Sequence, residues 1–352
     1  MGVAKLAMGW LLFPIALLYD GITRLRNHLY NIGYKRSFVF DLPVISVGNL
    51  SVGGTGKTPM VEYLIRLCKA NYHVAVLSRG YGRKTRGFRL AGHADHSATI
   101  GDEPYQYYLK FNPEVTVAVG EERVLAIPEI LFHSPDTQMI LLDDAYQHRA
   151  VSPHLNILLT EYNKPFFEDF LLPTGRLRES RTGAQRANVV VVTKCPGNIM
   201  PSTMKLVMET IRQYSKEDVP VFFTYIQYLK PKAVYNELAN FQRRVVLFSG
   251  ISNSTHLEKY AQQEFTLIRH LRYNDHHAYT AEDIEMIISV YQQEKPDGAC
   301  ILTTEKDMVK LMTEPMRVLL QDLPVFYLPI ETAFLQNQDQ FDQIILNSLE
   351  KN

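Results

Sequence analysis

Val44-Ile-Ser-Val-Gly-Asn-Leu-Ser-Val-Gly-Gly-Thr-Gly-Lys-Thr58 is the stretch that decides the fold. A short apolar run, Val44 to Val47, enters a glycine-rich turn that closes on Gly56-Lys57-Thr58. Met60, Val61, Leu64, Ile65 and Leu67 then recur at helical spacing. Strand, loop and helix in that order are the context of a phosphate-binding P-loop. Ser51, Val52, Gly53, Gly54, Thr55 and Gly56 make the turn, and its glycines let backbone N–H groups face an anion. Lys57 can reach terminal phosphates, Thr58 Oγ1 can hold Mg2+, and the new helix points its positive end at the same place. A nucleoside triphosphate is the expected ligand. Ser51 stands where the usual Gly-x-x-x-x-Gly-Lys-Ser/Thr pattern has its first glycine. The competing reading, a glycine turn that binds nothing, is disfavoured by the strand–helix context. Pro59 is compatible with a helix start, where its missing N–H costs nothing.

Around this motif the composition is that of an ordinary globular chain. The 352 residues are 46% hydrophobic and 21% charged, enough for two domains with cores of their own. Lysine plus arginine and aspartate plus glutamate number 37 each, so no global field favours nucleic acid, and anion binding must be local. Cys68, Cys195 and Cys300 lack metal-ligand spacing and read as reduced, buried thiols of a cytoplasmic protein.

Leu6 to Tyr19 is an uncharged run, shorter than the roughly 20 residues of a bilayer span. It is like the apolar part of a signal peptide, but Asp20-Gly-Ile-Thr-Arg24 follows without a small-residue cleavage site. Trp10 and Phe13 suit an interfacial depth, and Arg24, Arg26, Lys35 and Arg36 suit anionic head groups. A helix lying on, or dipping into, the cytoplasmic face of a membrane is the preferred reading. A core helix is the alternative.

Met139 to Leu142 is a second buried-strand pattern, ending in Asp143 and Asp144. Carboxylates at such a strand end support Mg2+ in P-loop proteins; a surface turn is the other reading. Gln147 and His148 follow, and His148 on spacing alone is a hydrogen-bonded structural histidine. Val74 to Ser78 runs into a loop with Arg79 and Arg83, which could clamp phosphate or be solvated. Asp102 precedes the helical pattern Tyr105 to Phe111, where capping is the simplest role and a general base the alternative. Thr303-Thr-Glu-Lys-Asp307 sits at a strand end and reads as a helix cap. Asp275-His276-His277 reads as a loop.

In order along the chain stand Gly48 to Thr58, Ser78-Arg-Gly-Tyr-Gly82, Gly101-Asp-Glu-Pro104 and Leu142-Asp-Asp-Ala-Tyr-Gln-His148. Pro173-Thr-Gly-Arg-Leu-Arg-Glu179, Phe248-Ser-Gly-Ile-Ser-Asn253, Asp275-His-His277 and Thr303 to Asp307 follow. This ordered set resembles the tetraacyldisaccharide 4'-kinases of lipid A biosynthesis, in which serine at the first glycine position is itself characteristic. Ala145 and Tyr146 stand where many relatives have Gly and Phe. The resemblance implies a kinase at the inner membrane that uses ATP and Mg2+ to phosphorylate the 4'-hydroxyl of an acylated glucosamine disaccharide. It implies Asp102 as catalytic base with His276 as its partner, and Lys57 on the β- and γ-phosphates. Thr58 and one of Asp143 and Asp144 would hold Mg2+, with Glu103, Glu179 and His148 around the site and Arg79, Arg123 and Arg178 stabilising charge. The expected partners are the lipid A disaccharide precursor and the cytoplasmic face of the inner membrane. Attachment would be peripheral or monotopic, with no nucleic acid and the protein a monomer.

The expected architecture is an α/β, doubly wound sheet of P-loop NTPase type with a second, smaller α/β domain and an N-terminal membrane-associated helix. Strand patterns near 44, 74, 115, 139, 156 and 189 fall in a kinase domain of residues 38–215, after a helical segment 1–37. Residues 216–243 are expected to be linker strands and 244–352 the smaller domain, with Asp275 and His276 in it. Two other functions compete: a nucleotide-switch metal chaperone, which would want a relay cysteine motif, and a soluble small-molecule kinase or ligase, in which Leu6 to Tyr19 would be core.

Overall fold

The computed structural model of the chain describes residues 2–294 and 298–350, without the side chains of residues 2–11. In chain order its strands are β1 (Val44–Asn49), β2 (Val74–Ser78), β3 (Arg89–Leu90), β4 (Thr116–Val119), β5 (Met139–Asp143), β6 (Leu155–Glu161) and β7 (Val189–Thr193). They continue with β8 (Val221–Tyr228), β9 (Lys232–Ala233), β10 (Arg244–Ser249), β11 (Thr266–Arg272), β12 (Ala299–Thr304), β13 (Val325–Leu328) and β14 (Ile330–Phe334). Two compact units result. The first holds the chain up to Arg79, Pro113–Ile226 and the segment from Thr332; the second holds Gly80–Asn112 and Gln227–Glu331.

In the first unit the strands line up as β14-β8-β7-β6-β1-β5-β2-β4. Pairings from β4 through β8 are parallel, with Ser46 opposite both Leu142 and Asn156. Buried on both faces, such strands are mostly apolar, and Val189–Val192 is an unbroken valine run with every residue buried. From β1 the chain builds outward on one side through β5, β2 and β4, and on the other through β6, β7 and β8. The end of β1 is therefore the point where strand order reverses, the usual ligand position of an open parallel sheet.

Val221–Tyr228 is not a linker. It continues the large sheet beside β7, Val190 facing Val221, because Phe222 and Phe223 are buried there. Residues 332–350 also belong to the first unit rather than to the smaller domain. Phe341 on the helix Gln338–Leu349 packs edge-on against Phe222 at 5.2 Å, and Tyr63 donates to Asp342 at 2.6 Å.

The second unit carries the sheet β11-β10-β12-β13-β9, parallel except for β9 against β13. Phe248, Ile284, Ile287, Ile301 and Leu320 form part of its core. Residues 80–112, expected in the kinase domain, fall here instead. Their helix Asp102–Phe111 lies against Glu305–Leu311, and Lys110 pairs with the buried Glu305 at 2.8 Å.

The helix Gly2–Asn31 opens the chain. Tyr19 donates to the Arg178 carbonyl at 2.8 Å, Asn27 Nδ2 to Glu179 Oε2 at 2.8 Å, and Arg149 to the Asn27 carbonyl at 2.7 Å. Its other side exposes Phe13, Ile15, Leu17, Leu18, Ile22 and Leu25. Among the described residues no helix is long and apolar enough to cross a membrane. The side chains of Leu6 to Leu11, Trp10 with them, lie outside the described ones.

Candidate active site

The glycine-rich loop leaves β1 and turns into the helix Lys57–Cys68 through Gly53 (φ 110°) and Gly56 (φ 81°). Both angles lie in the region that only glycine adopts freely, and a Cβ on Gly53 would meet nothing within 4 Å. Ser51 and Thr55 are buried, and Thr58 lies half-buried in the first helical turn. Lys57 Nζ is 3.5 Å from Asn49 Oδ1 and 3.6 Å from Asp144 Oδ1.

The segment Pro173–Glu179 pairs with the loop, a contact that no sequence spacing announces. Val52 N–H donates to the Arg176 carbonyl at 2.8 Å and Arg178 N–H to the Leu50 carbonyl at 2.7 Å. Arg178 is thereby held beside Asp144, its Nη1 3.1 and 3.2 Å from the two carboxylate oxygens. Asp144 itself has φ 47°, a strained conformation for a residue with a Cβ. Burial pulls its carboxyl pKa up, but Lys57 and Arg178 outweigh that and hold it below the ordinary range. Asp143 is buried and its carbonyl accepts from Arg123.

Two of the expected site residues, Arg123 and Glu179, make structural hydrogen bonds in this unit, and a third, His148, is held neutral. Arg123 is 2% exposed and is spent on the carbonyls of Gly120, Glu121 and Asp143, and burial pushes its pKa down to about 10. Glu179 accepts from Asn27, Gln147 and Arg186, which ties the N-terminal helix to the sheet. His148 is pushed down to about 4, first by burial and then by Arg123, Arg26 and Arg79, so it is neutral at pH 7. Sequence reasoning overlooked Lys194, which follows β7 and whose Nζ donates to the Gly54 carbonyl. Its position just past a buried parallel strand was the available signal.

In the second unit Asp102 and His276, 174 residues apart, meet: Asp102 Oδ2 is 3.2 Å from His276 Nδ1. Asp102 does not cap its helix. Gly101 (φ 95°) occupies the cap position and Asp102 is the first helical residue, its carboxylate turned to His276 and to Lys310 Nζ at 3.7 Å. A Cβ on Gly101 would come within 3.1 Å of Gly80 and of the Tyr81 carbonyl, so the close approach that sets Asp102 needs glycine. His276 sits in the loop after β11 with φ 56°, its ring 5.2 Å from that of Tyr81. Glu103 pairs with Lys306 at 3.6 Å. The Thr303–Asp307 segment is a cap as expected: Thr304 accepts from Asp307 N–H, and Asp307 Oδ2 accepts from Gly250 N–H at 2.9 Å.

A family model described as tetraacyldisaccharide-1-P 4'-kinase matches residues 8–350. The chain belongs to the tetraacyldisaccharide-1-P 4'-kinase family. A tetraacyldisaccharide 4'-kinase of Flavobacterium psychrophilum is 43% identical over 347 residues, 96% of each chain. One from Bacteroides thetaiotaomicron is 41% identical over 97% of this chain and 93% of its own. Among solved structures, LpxK from Aquifex aeolicus in complex with ATP superposes with a TM-score of 0.74 at 28% identity, covering 97% of this chain and 99% of that one. The mixed α/β fold on a large parallel sheet is thus the fold of this kinase family.

Proposed function

We propose that this chain transfers the γ-phosphoryl group of ATP to the 4'-hydroxyl of an acylated glucosamine disaccharide, the lipid A precursor, at a membrane surface. The observation that carries the reading is the Asp102–His276 contact, a carboxylate and an imidazole brought to 3.2 Å in a family of alcohol kinases. Phosphoryl transfer asks a protein for charge neutralisation, positioning and a proton acceptor more than for covalent chemistry. Residues 51–58 act as the P-loop: their N–H groups and Lys57 bind the phosphates, and Lys57 is already positioned by Asn49 and Asp144. Arg178 adds positive charge beside Asp144, and Lys194 steadies the loop at Gly54. Asp102 accepts the proton of the attacking hydroxyl, and His276 orients the carboxylate that takes it.

The donor set fits Mg2+. Among the described residues no group of three His, Cys, Asp or Glu could hold a metal by itself. A hydroxyl and one or two carboxylates, completed by substrate phosphates, is the arrangement Mg2+ favours. Thr58 with Asp143 or Asp144 would supply it. Bound there, the ion would neutralise charge on the phosphate oxygens.

The N-terminal helix supports the membrane part of the reading. Its protein-facing side is polar, with Tyr19, Arg26 and Asn27 hydrogen-bonded, while its outer side shows Phe13, Leu18, Ile22 and Leu25. A water-facing helix has the opposite pattern, so the outer side suits the hydrocarbon boundary of a bilayer, with peripheral or monotopic attachment at its cytoplasmic face.

The test is transfer of radiolabelled phosphate from ATP to a lipid A disaccharide precursor in detergent micelles. Wild type should label the 4'-position. Asp102→Ala and Lys57→Ala should each lose on the order of 10²-fold or more in turnover. Near-normal product from Asp102→Ala would remove it from the base role, and an unlabelled lipid with wild type would end the kinase reading.

A further inference from the structure

The second unit holds a charge cluster that the reaction as described leaves unexplained. Lys306 stands in the first turn of the helix Glu305–Leu311. Its Nζ lies 3.1 Å from His276 Nε2, 3.1 Å from Asp275 Oδ1 and 3.6 Å from Glu103 Oε1. A surface lysine would not gather three such partners. Burial works against its charge, but Glu103 and Asp275 outweigh that and hold the ammonium above its ordinary pKa. Lys306 is therefore charged at neutral pH, and a lysine ammonium has three donors and no acceptor.

From this we infer that Lys306 is a positioning residue that fixes the tautomer of His276. The inference rests on the kinase reading only for its catalytic consequence. Lys306 donates to Nε2, so Nε2 must be the lone-pair nitrogen. A ring carrying one proton then has it on Nδ1, although Asp275 Oδ1 also lies 3.9 Å from Nε2, and Nδ1–H donates to Asp102 Oδ2 at 3.2 Å. Lys310 approaches the same oxygen. Both contacts fall on Oδ2, which leaves Oδ1 to take the proton of an attacking hydroxyl. In the other tautomer Nδ1 would present its lone pair to Oδ2, two acceptors would face each other, and the carboxylate would lose its orientation. Glu103 and Asp275 serve the pair indirectly by anchoring the lysine. The strained backbone of His276 (φ 56°) fits this account, since the loop must lay one ring between a carboxylate and an ammonium.

The experiment reads the ring directly. Full-length protein labelled with nitrogen-15 in its histidines is observed by NMR at neutral pH, with the His276 signals identified by their loss in His276→Asn. Wild type should show a neutral ring protonated on Nδ1. Lys306→Met should move it toward the Nε2–H form. In the phosphate-transfer assay the same variant should lower kcat on the order of 10²-fold, shift the acidic limb of its pH profile and leave KM for ATP unchanged. Lys306→Arg keeps a cationic donor and should restore the Nδ1–H form and part of the rate, which guards against a folding defect in Lys306→Met. A wild-type ring protonated on Nε2, or a Lys306→Met protein with unchanged tautomer and pH profile, overturns the inference. The tautomer is read without turnover. Failure of wild type to phosphorylate the lipid would therefore end the kinase reading and leave this result standing.

Discussion

His148 and Asp144 follow the same motif strand, and opposite chemistry makes both sensitive to acid. The folded chain depresses His148 to about 4 from an ordinary 6.5, so between those values the unfolded chain binds the extra proton. The stability His148 contributes is whole above pH 6.5 and is lost as pH falls toward 4. His148→Gln should therefore flatten the fall in urea midpoint across that window; an identical slope in variant and wild type would show that the ring is not held neutral. Asp144 is also depressed, after burial is outweighed by Lys57 and Arg178. Its contribution is present above the ordinary carboxylate pKa and is lost as pH falls through the lower folded value. Asp144→Asn should remove that acid-labile part and also release Lys57, so weaker ATP binding by calorimetry should accompany a shallower acid limb. ATP affinity equal to wild type would mean that Lys57 needs no carboxylate to hold it.

Helix starts and close strand contacts set where these residues sit. Thr304 caps Glu305–Leu311 by accepting from Asp307 N–H and also donates to Asp307 Oδ2 at 2.7 Å. Thr304→Ala should cost about 1–2 kcal/mol in urea unfolding; a loss near zero would mean the cap is replaced by solvent. Gly48 lies against Tyr146, and an added Cβ would come within 2.7 Å of the Tyr146 Cβ and 2.9 Å of its nitrogen. Gly48→Ala should cost about 1–3 kcal/mol and disturb the loop it introduces. Such elements explain what a reader of the sequence can and cannot see. Buried parallel strands announce themselves as apolar runs, and β1, β2, β5 and β7 lie where those runs are. The turn after β1 was equally open, because glycines and Lys57 are adjacent in sequence. The Asp102–His276 contact was reachable only through family resemblance, since 174 residues separate the pair and no local spacing relates them. Residues 80–112 looked like part of the first unit because they lie between two of its strands. The pairing of Lys110 with buried Glu305, the packing of their helices, and the contacts of Asp102, Glu103 and Tyr81 with His276, Lys306 and Lys310 draw them into the second. Glu179 belongs to a motif and Arg123 was implied by the resemblance, yet both charges are engaged in hydrogen bonds inside the fold, which neither motif nor resemblance discloses.

The N-terminal helix bears on where the entire molecule works. A polar inner side bound to Gln147, Arg178 and Glu179 fixes the helix to the first unit, so its apolar outer side is presented as a rigid feature. Leu18, Ile22 and Leu25 are 67%, 59% and 59% exposed, at spacings of four and three that place them on one stripe. Three side chains of this size gain roughly 1.5–3 kcal/mol each on leaving water, so together they would support the proposed attachment. Arg24 on the same helix is exposed but paired with Asp20 at 2.7 Å, so any attraction it adds to anionic head groups would be partly offset, and salt would screen it. The triple variant Leu18→Asp, Ile22→Asp, Leu25→Asp touches none of the inner hydrogen bonds. It should therefore bind ATP and unfold in urea like wild type, while its affinity for phosphatidylglycerol vesicles in flotation falls by more than about 10²-fold. In mixed micelles its KM for the lipid acceptor should rise and its kcat should hold, because in the proposed membrane reading the helix brings the protein to acyl chains held in the lipid phase. Vesicle binding unchanged by three carboxylates would place the attachment elsewhere on the protein and leave this apolar stripe without a membrane role.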